Sequence, residues 1–354
     1  MIDLDARLAD VGERALIRHL RDRIPLGPNV VVGIGDDAAA VECTGLTLVT
    51  TDAMVEGVHF KREWAHPKLI GRKALTVNLS DIAAMAGVAR HCVVSLCLPP
   101  DMLVAFVDEL YDGLLERAAE ANVNVIGGNV TSTSGPVVID IAMLGQGERL
   151  LRRAGAAAGD LVVVTGTLGA AAAGLRLLRQ GARLGPDGDL AATGIWTDTS
   201  KAAVLKCLRA QLDPTPPLAL GRALVEEEMA HAAIDVSDGL SSDLRHICEE
   251  SNVAARIAPD LLPLDPFAAG LARAQGGDGF DLALHGGEDY QLLVAVPRER
   301  YADVAGLGQV WNIPIAAIGE FIEGAPEVFI ERGGAVEPLP VAAHEHFRTR
   351  EAQP

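Results

Sequence analysis

Seven aspartates of this chain stand in four short segments, each where an apolar run ends or a helix is due to begin. They are Asp36 and Asp37 in GIGDDAA, Asp52 in LVTTDAM, Asp81 in NLSDIAAMAG, and Asp235, Asp238 and Asp243 in IDVSDGLSSDL. Hard carboxylate oxygens gathered from separate segments are what Mg²⁺ takes when substrate phosphates and water complete its shell. The set therefore points to metal-assisted chemistry at a phosphate.

The first segment also offers Gly33 and Gly35 in a G-x-G-x-x-A pattern after a run of valines, as a dinucleotide-binding loop would. Two aspartates beside a bound pyrophosphate would set like charges together, at a cost of several kcal/mol unless a cation intervenes. Asp52 lies near the spacing of a ribose-binding acid, but DDAAAVECTG reaches a glycine turn before a helix of the required length can form. No G-x-x-x-x-G-K-[ST] occurs, so a nucleotide must be held by another device.

Each acid also has a plainer role open to it. Asp81 after Ser80 can favour the N-terminus of a helix, and Ser241, Ser242 or Asp243 can cap the helix running into Leu244 and Ile247, each worth about 1 kcal/mol. Capping does not predict DD in a glycine turn, nor D-x-S-D-G after an apolar run, so the recurrence favours metal. IGGNVTSTSG supplies Gly127, Gly128, Asn129, Thr131 and Ser132 as a loop able to hydrogen-bond phosphate, or as a plain turn. Arg152 and Arg153 read as a phosphate clamp or a solvated linker. His59 in EGVHF can contact a substrate, although a lone histidine is more often packed and hydrogen-bonded.

The elements that position these residues follow from periodicity. Leu16, Ile17 and Leu20 predict a helix over 10–22, ending before Pro25. Strands are expected at NVVVGI and LTLVTTD, then a helix through PKLIGRKALTVNLSDIAAMAG broken near Asn78, the strand HCVVSLCLP, and a long amphipathic helix to about Asn122. VNVIGGN and PVVIDIAMLGQG complete this part. A loop, strand, glycine turn and alanine-rich helix begin again at LLRRAGAAAGDLVVVTGTLGAAAAGLRLL, which places a domain boundary near Glu148 to Arg152. The second part continues through DPTPPLALGRALVEE, IDVSDGLSSDL, FDLALHGGEDYQLLVAVP and IPIAAIGEFIEG.

A chain of 354 residues with 49% apolar residues, 37 glycines and 4% aromatics fits two α/β domains built on Val, Ala and Leu. Thirty Lys and Arg against 48 Asp and Glu give a net charge of −18, which repels nucleic acid in the absence of a basic run. The first twenty residues are charged throughout, and no later window offers about 20 apolar residues, so neither a leader nor a membrane span is expected and the predicted location is cytoplasmic. Cys43, Cys92, Cys97, Cys207 and Cys248 form no C-x-x-C pair, which favours reduced thiols over zinc or disulfides.

Taken together and in order, GIGDDAA, TTDAMVEGVHF, GRKALTVNLSDIAAMAG, RRAGAAAGDLVVVTGTLG, IDVSDGLSSDL, HGGEDYQLL and the closing HEHF resemble the thiamine-monophosphate kinase family of the aminoimidazole-ribonucleotide-synthetase-like superfamily. The resemblance implies a two-domain α/β (α+β) fold. Residues 1–148 would form an N-terminal α/β domain whose strands complete a barrel-like sheet across a homodimer, residues 149–348 a C-terminal α/β domain, and 349–354 a frayed tail. It implies direct transfer of the γ-phosphoryl group of ATP to thiamine monophosphate, giving thiamine diphosphate and ADP. By the same resemblance Asp36, Asp52, Asp81 and Asp238 hold Mg²⁺, with Asp37, Asp235 and Thr51 beside them. Arg153, Gly128, Asn129 and Ser237 fall on the nucleotide side, and His59, Glu288, Asp289 and Tyr290 toward the thiamine pocket.

One departure stands out. Where the family pattern carries G-G-D-T, this chain has GGNV, so Asn129 offers an amide oxygen without charge, and one metal is expected to bind more weakly. Within the superfamily, selenophosphate synthesis would need a reactive cysteine or selenocysteine in residues 1–30, and the hydrogenase-maturation dehydratase a C-terminal cysteine, and neither is present. Aminoimidazole ribonucleotide synthetase and a non-catalytic nucleotide-binding regulator are the alternatives, the first fitting EGVHF and GGEDYQLL poorly.

Overall fold

In VIDIAMLG every second side chain is apolar, and the backbone answers with a strand that buries Ile139, Ile141 and Met143 while their neighbours stay half-exposed. That strand belongs to a computed structural model that describes residues 2–34, 38–185, 188–191 and 198–340. Gly35, Asp36, Asp37, the HEHF segment and the tail 349–354 lie outside the described residues. The chain divides into two units. One gathers Met1–Leu150 with Leu178–Lys201 and Leu212–Arg222, and the other Leu151–Leu177, Ala202–Gln211 and Ala223–Pro354.

The first unit runs α1 (Leu8–Val11), α2 (Glu13–Arg23), β1 (Val30–Val32), β2 (Ala40–Val41), β3 (Leu46–Val55), α3 (Pro67–Ala84), β4 (Val88–Leu98), α4 (Val104–Ala121), β5 (Asn124–Ser132) and β6 (Val138–Gly147). Its main sheet has the order β3-β6-β4-β5, antiparallel except for the β4–β5 pair, which the α4 crossover makes parallel. Helices α3 and α4 pack together, and α3 lies against β3, β4 and β6. Leu48 and Met54 of β3 are buried, whereas Val49, between them on the opposite face, is 71% exposed. Arginines draw in a segment from later in the chain: Asp213 accepts from Arg72 Nε at 2.9 Å and from Arg117 Nη2 at 2.5 Å.

Three expectations are corrected here. The helix expected over 10–22 is interrupted at Gly12, whose φ of +78° separates α1 from α2. The break expected near Asn78 is absent, because Asn78 is fully buried in α3 and its Nδ2 donates to Ala74 O at 3.3 Å rather than competing for the ladder. The segment around Asn129 is not a loop but the edge strand β5, whose Gly128 and Asn129 align with Val94 and Ser95 of β4.

The second unit is built around β7 (Leu161–Thr165), β8 (Ala232–Asp235), β9 (Ala254–Ile257), β10 (Leu292–Val296), β11 (Ile315–Ile322), β12 (Val328–Arg332) and β13 (Ala335–Pro338), ordered β13-β12-β9-β11-β7-β10-β8. Its pairs are antiparallel apart from β12–β9. The helices are α5 (Ala170–Arg179), α6 (Asp198–Leu212), α7 (Leu218–Glu226), α8 (Leu240–Ser251), α9 (Pro266–Ala274), α10 (Gly279–His285) and α11 (Tyr301–Val310), of which α5, α6 and α7 each carry residues of both units. Val162, Val164, Ile234, Leu244, Ile247, Ile257, Leu293, Ile318 and Phe321 form the core between sheet and helices. The valine-rich strands β7 and β10 sit centrally in it, almost entirely buried, as continuous apolar runs require.

Candidate active site

In the first unit two neighbouring strand residues serve opposite faces. Thr50 lies on the face of β3 that carries Leu48 and Met54, and its hydroxyl donates to Asp81 Oδ2 of α3. Alternation puts Asp52 on that same face. Asp81 is thus a residue of the last turn of α3, and the N-terminal capping role open to it in the sequence is excluded. His66 takes that role, its Nδ1 accepting from Lys68 N at 3.3 Å ahead of Pro67. On the other face, Thr51 donates to Asp140 Oδ1 at 3.0 Å, and Asp140 stands in register with Ser95, which is in register with Asn129. Asp52 is not at a strand end: β3 continues to Val55, because Met54 still pairs with Ile139.

Just past that end, His59 turns back. Its Nδ1 accepts from Val55 N at 3.0 Å, which places the ring proton on Nε2, and its own N–H donates to Val55 O at 2.9 Å. Glu56 fixes the same turn, accepting from Arg62 Nε at 2.6 Å and from Val137 N at 3.2 Å.

In the second unit, β8 ends at Asp235 and the chain passes through Val236, Ser237 and Asp238 into Gly239, the N-cap of α8. The HGGEDY segment is bonded to this turn along its backbone. Glu288 N donates to Ser237 O at 2.7 Å, Tyr290 N to Val236 O at 2.9 Å, and Val236 N to Gln291 O at 2.7 Å. The fit requires left-handed backbone at Gly287 (φ +68°), Glu288 (+58°) and Tyr290 (+49°), and a Cβ on Gly287 would stand 2.7 Å from Ser237 O. Glu288 and Tyr290 thus hold a conformation costly for non-glycine residues, which surrounding bonds must enforce.

Charge is concentrated at this turn. Burial, then the nearby Asp235 and Asp238, hold the Asp243 carboxyl well above its ordinary range, although Gly239 N donates to its Oδ2 at 3.1 Å. Asp243 does therefore serve the start of α8, reaching back to the N-cap amide as a capping box does. Ser241 instead meets His285 Nδ1 at 2.8 Å, and burial pulls that imidazole below its usual value, with Asp281 opposing. Asp289 accepts from Gly169 N at 2.8 Å and Ala171 N at 3.4 Å at the start of α5. Burial pushes its pKa up to about 7 despite those two donors, with Asp265 and Glu288 adding to the rise. Glu288 Oε2 accepts from Gln211 Nε2, a residue of α6.

The predicted residues fall into two stations, one in each unit. The first has Asp52 and Asp81 on the face of the sheet that α3 covers, and Thr51 and Asn129 on the opposite face; Asp235, Ser237, Asp238, Asp243, Glu288, Asp289 and Tyr290 belong to the second. Gly128 lies on β5 with Asn129, and Arg152 and Arg153 are exposed just before the first strand of the second unit, their carbonyls accepting from Ala233 N and Ser251 Oγ. Sequence reasoning passed over Asp140 and Gln211. The first had a signal, an aspartate at an otherwise apolar alternation, and the second had none beyond a polar residue ahead of Asp213 and Pro214.

Residues 35–147 match the AIR synthase related protein, N-terminal domain family, and residues 157–331 match its C-terminal domain family. A thiamine-monophosphate kinase of Aquifex aeolicus (strain VF5) is 34% identical over 335 residues, which span 94% of this chain and 98% of that one. The chain belongs to the thiamine-monophosphate kinase family. Solved structures of this kinase family share its two-domain α/β fold. The thiamine-monophosphate kinase of Stenotrophomonas maltophilia K279a superposes with a TM-score of 0.77 at 35% identity, covering 90% of this chain and 96% of that one. AaThiL complexed with AMPPCP and TMP gives 0.74 at 32% identity, covering 98% and 100%.

The donor chemistry fits the hard cation expected of such a kinase. Burial, Asp235 and Asp238 disfavour ionisation of Asp243, and a bound Mg²⁺ would offset the like charge among them. Among the described residues no group of three His, Cys, Asp or Glu side chains closes a metal shell alone. Phosphate oxygens and water would supply the remaining ligands, as Mg²⁺ sites commonly require.

Proposed function

We propose that this enzyme transfers the γ-phosphoryl group of ATP to the phosphate of thiamine monophosphate, releasing thiamine diphosphate and ADP. The observation that carries this reading is identity of 34% across nearly the whole of a thiamine-monophosphate kinase. A related structure holding AMPPCP and TMP supports the same pair of substrates.

On this reading Asp36, Asp37, Asp52, Asp81, Asp235 and Asp238 would hold Mg²⁺, which supplies positive charge between two anionic reactants. Arg153 would clamp nucleotide phosphate as a fork of fixed donors, and Thr51, Gly128, Asn129 and Ser237 would each contact the nucleotide. His59, Glu288, Asp289 and Tyr290 would face the acceptor, and Asp289 ties the loop of Glu288 and Tyr290 to α5. No side chain need act as a general base, because a phosphate monoester is already largely dianionic at neutral pH, its second pKa being about 6. The enzyme's task is to hold donor and acceptor in line and to screen their repulsion.

We assign it a cytoplasmic setting, where ATP is available, and a homodimer formed through the open face of the four-stranded sheet. Val49 at 71% and Val93 at 36% exposure give that face apolar surface of the kind a partner covers. No helix among the described residues is long and apolar enough to cross a membrane.

The test is product identification by mass after incubation with ATP, Mg²⁺ and thiamine monophosphate, with thiamine and no acceptor as controls. Thiamine diphosphate formed from the monophosphate alone is the expected result. ATP binding without any phosphorylated product would instead favour a nucleotide-binding regulator.

A further inference from the structure

Gln211 sits in the last turn of α6, only 3% exposed, and its carboxamide is used on one side alone. Nε2 donates to Glu288 Oε2, while Oε1 is buried with no hydrogen-bond partner among the described residues. Flipping the amide does not relieve this, because it would turn the oxygen toward a carboxylate and leave the NH₂ unmatched. A buried acceptor left open is uncommon enough to need a cause, and it stands beside a residue of the acceptor loop. That loop is already rigid: Glu288 carries φ +58° and its N–H is bonded to Ser237 O at 2.7 Å.

We propose that Gln211 is a specificity-determining residue, holding Glu288 in place through Nε2 and accepting through Oε1 a hydrogen bond from an N–H of the phosphoryl acceptor. The inference rests on the reading of the acceptor as thiamine monophosphate, whose pyrimidine bears an exocyclic amino group. Such a group offers two N–H donors, one for the amide oxygen and one for a neighbouring acceptor. An oxo substituent at the same ring position would set lone pairs against Gln211 Oε1. A site built to hydrogen-bond an amino group discriminates strongly against an analogue that cannot supply the donor.

The experiment compares thiamine monophosphate with its analogue carrying oxygen in place of the exocyclic amine, by kcat/KM in wild type and in Gln211→Met, a substitution of similar volume. Wild type is expected to prefer the amine by about 10-fold or more, and Gln211→Met to lose most of that preference through acceptor KM. The KM for ATP should stay within about twofold, which a merely structural role would not ensure. Should Gln211→Met fail to fold, wild type alone still decides, since equal use of the two acceptors overturns the inference. An unchanged preference in a folded Gln211→Met also overturns it while leaving the kinase reading intact. Absence of thiamine diphosphate from wild type overturns both.

Discussion

The two acidic stations are built in opposite ways. In the first unit the carboxylates ride on regular elements: Asp52 inside a ten-residue strand and Asp81 inside an eighteen-residue helix, the latter taking a neighbouring hydroxyl. In the second, Asp238 sits in a turn between β8 and α8, braced by a second loop that needs three left-handed residues. There burial and like charge push carboxyls upward, at Asp243 and Asp289. One station gets its precision from the ladder and the helix, the other from loop-to-loop bonding that stores strain and charge. Rigid elements tolerate local change better than a loop whose shape depends on each of its bonds.

The largest effect should come from removing a ligand charge at either station. Asp52→Asn and Asp238→Asn are each expected to lower kcat by roughly 10²–10³ while leaving the thermal transition near wild type, since both keep the side-chain volume. Steady-state rates and melting curves check this together. A normal rate in one variant would remove that residue from the metal set and show that one station alone carries the chemistry.

Next comes the buried acid of the second station. The Asp289 pKa is raised to about 7 in the folded protein from 3.8 in the open chain. Below about pH 4 both states hold the proton and the group is neutral in its effect; as pH rises from there to about 7 only the unfolded chain releases it, so stability falls, and above 7 the cost is constant. At about 1.4 kcal/mol for each pH step, the full cost is about 4 kcal/mol. The groups facing it are Asp265, Glu288 and the amides of Gly169 and Ala171. Asp289→Asn keeps an oxygen for Gly169 N and should gain about 2–3 kcal/mol on wild type between pH 5 and pH 8 in urea unfolding. Parallel pH profiles for the two proteins would refute the shift.

Much of this contrast was legible in the chain, and the rest was hidden for physical reasons. Acid-rich turns after apolar runs can be read locally, because a strand, a glycine and a carboxylate are neighbours in sequence. The end of β3 cannot, since Ala53, Met54 and Val55 stay in the ladder only because β6 pairs with them from more than eighty positions away. The same holds for Asn129, a poor strand former kept in β5 by β4. At Asn78 burial overrode a weak helix propensity. Gln211 has no local signature at all: its role exists only once α6 brings it to Glu288.

A smaller effect tests the bracing loop. Gly287→Ala places a Cβ 2.7 Å from Ser237 O at a φ of +68°, so the loop must shift or strain, at about 1–3 kcal/mol. Because Ser237 precedes Asp238, turnover should fall more than stability does. An alanine in a turn of the first unit that touches no acidic residue should cost stability without that disproportionate loss of rate. If Gly287→Ala loses stability but keeps its rate, the loop braces the fold and not the acidic turn.

The smallest expected effect belongs to Asn129→Asp. Asn129 is exposed on the edge strand, in register with Ser95 and through it with Asp140, which already accepts from Thr51. The substitution places a carboxylate on the same face as Thr51 and Asp140. It adds one charge to an oxygen-rich row, and hard cations respond to ligand charge. Half-saturation by Mg²⁺ should therefore fall by a few-fold, about 1 kcal/mol, with little change in the maximal rate. The same substitution raising the Mg²⁺ requirement would mean that repulsion from Asp140 outweighs any gain, and that the first station is tuned to an uncharged oxygen at this position.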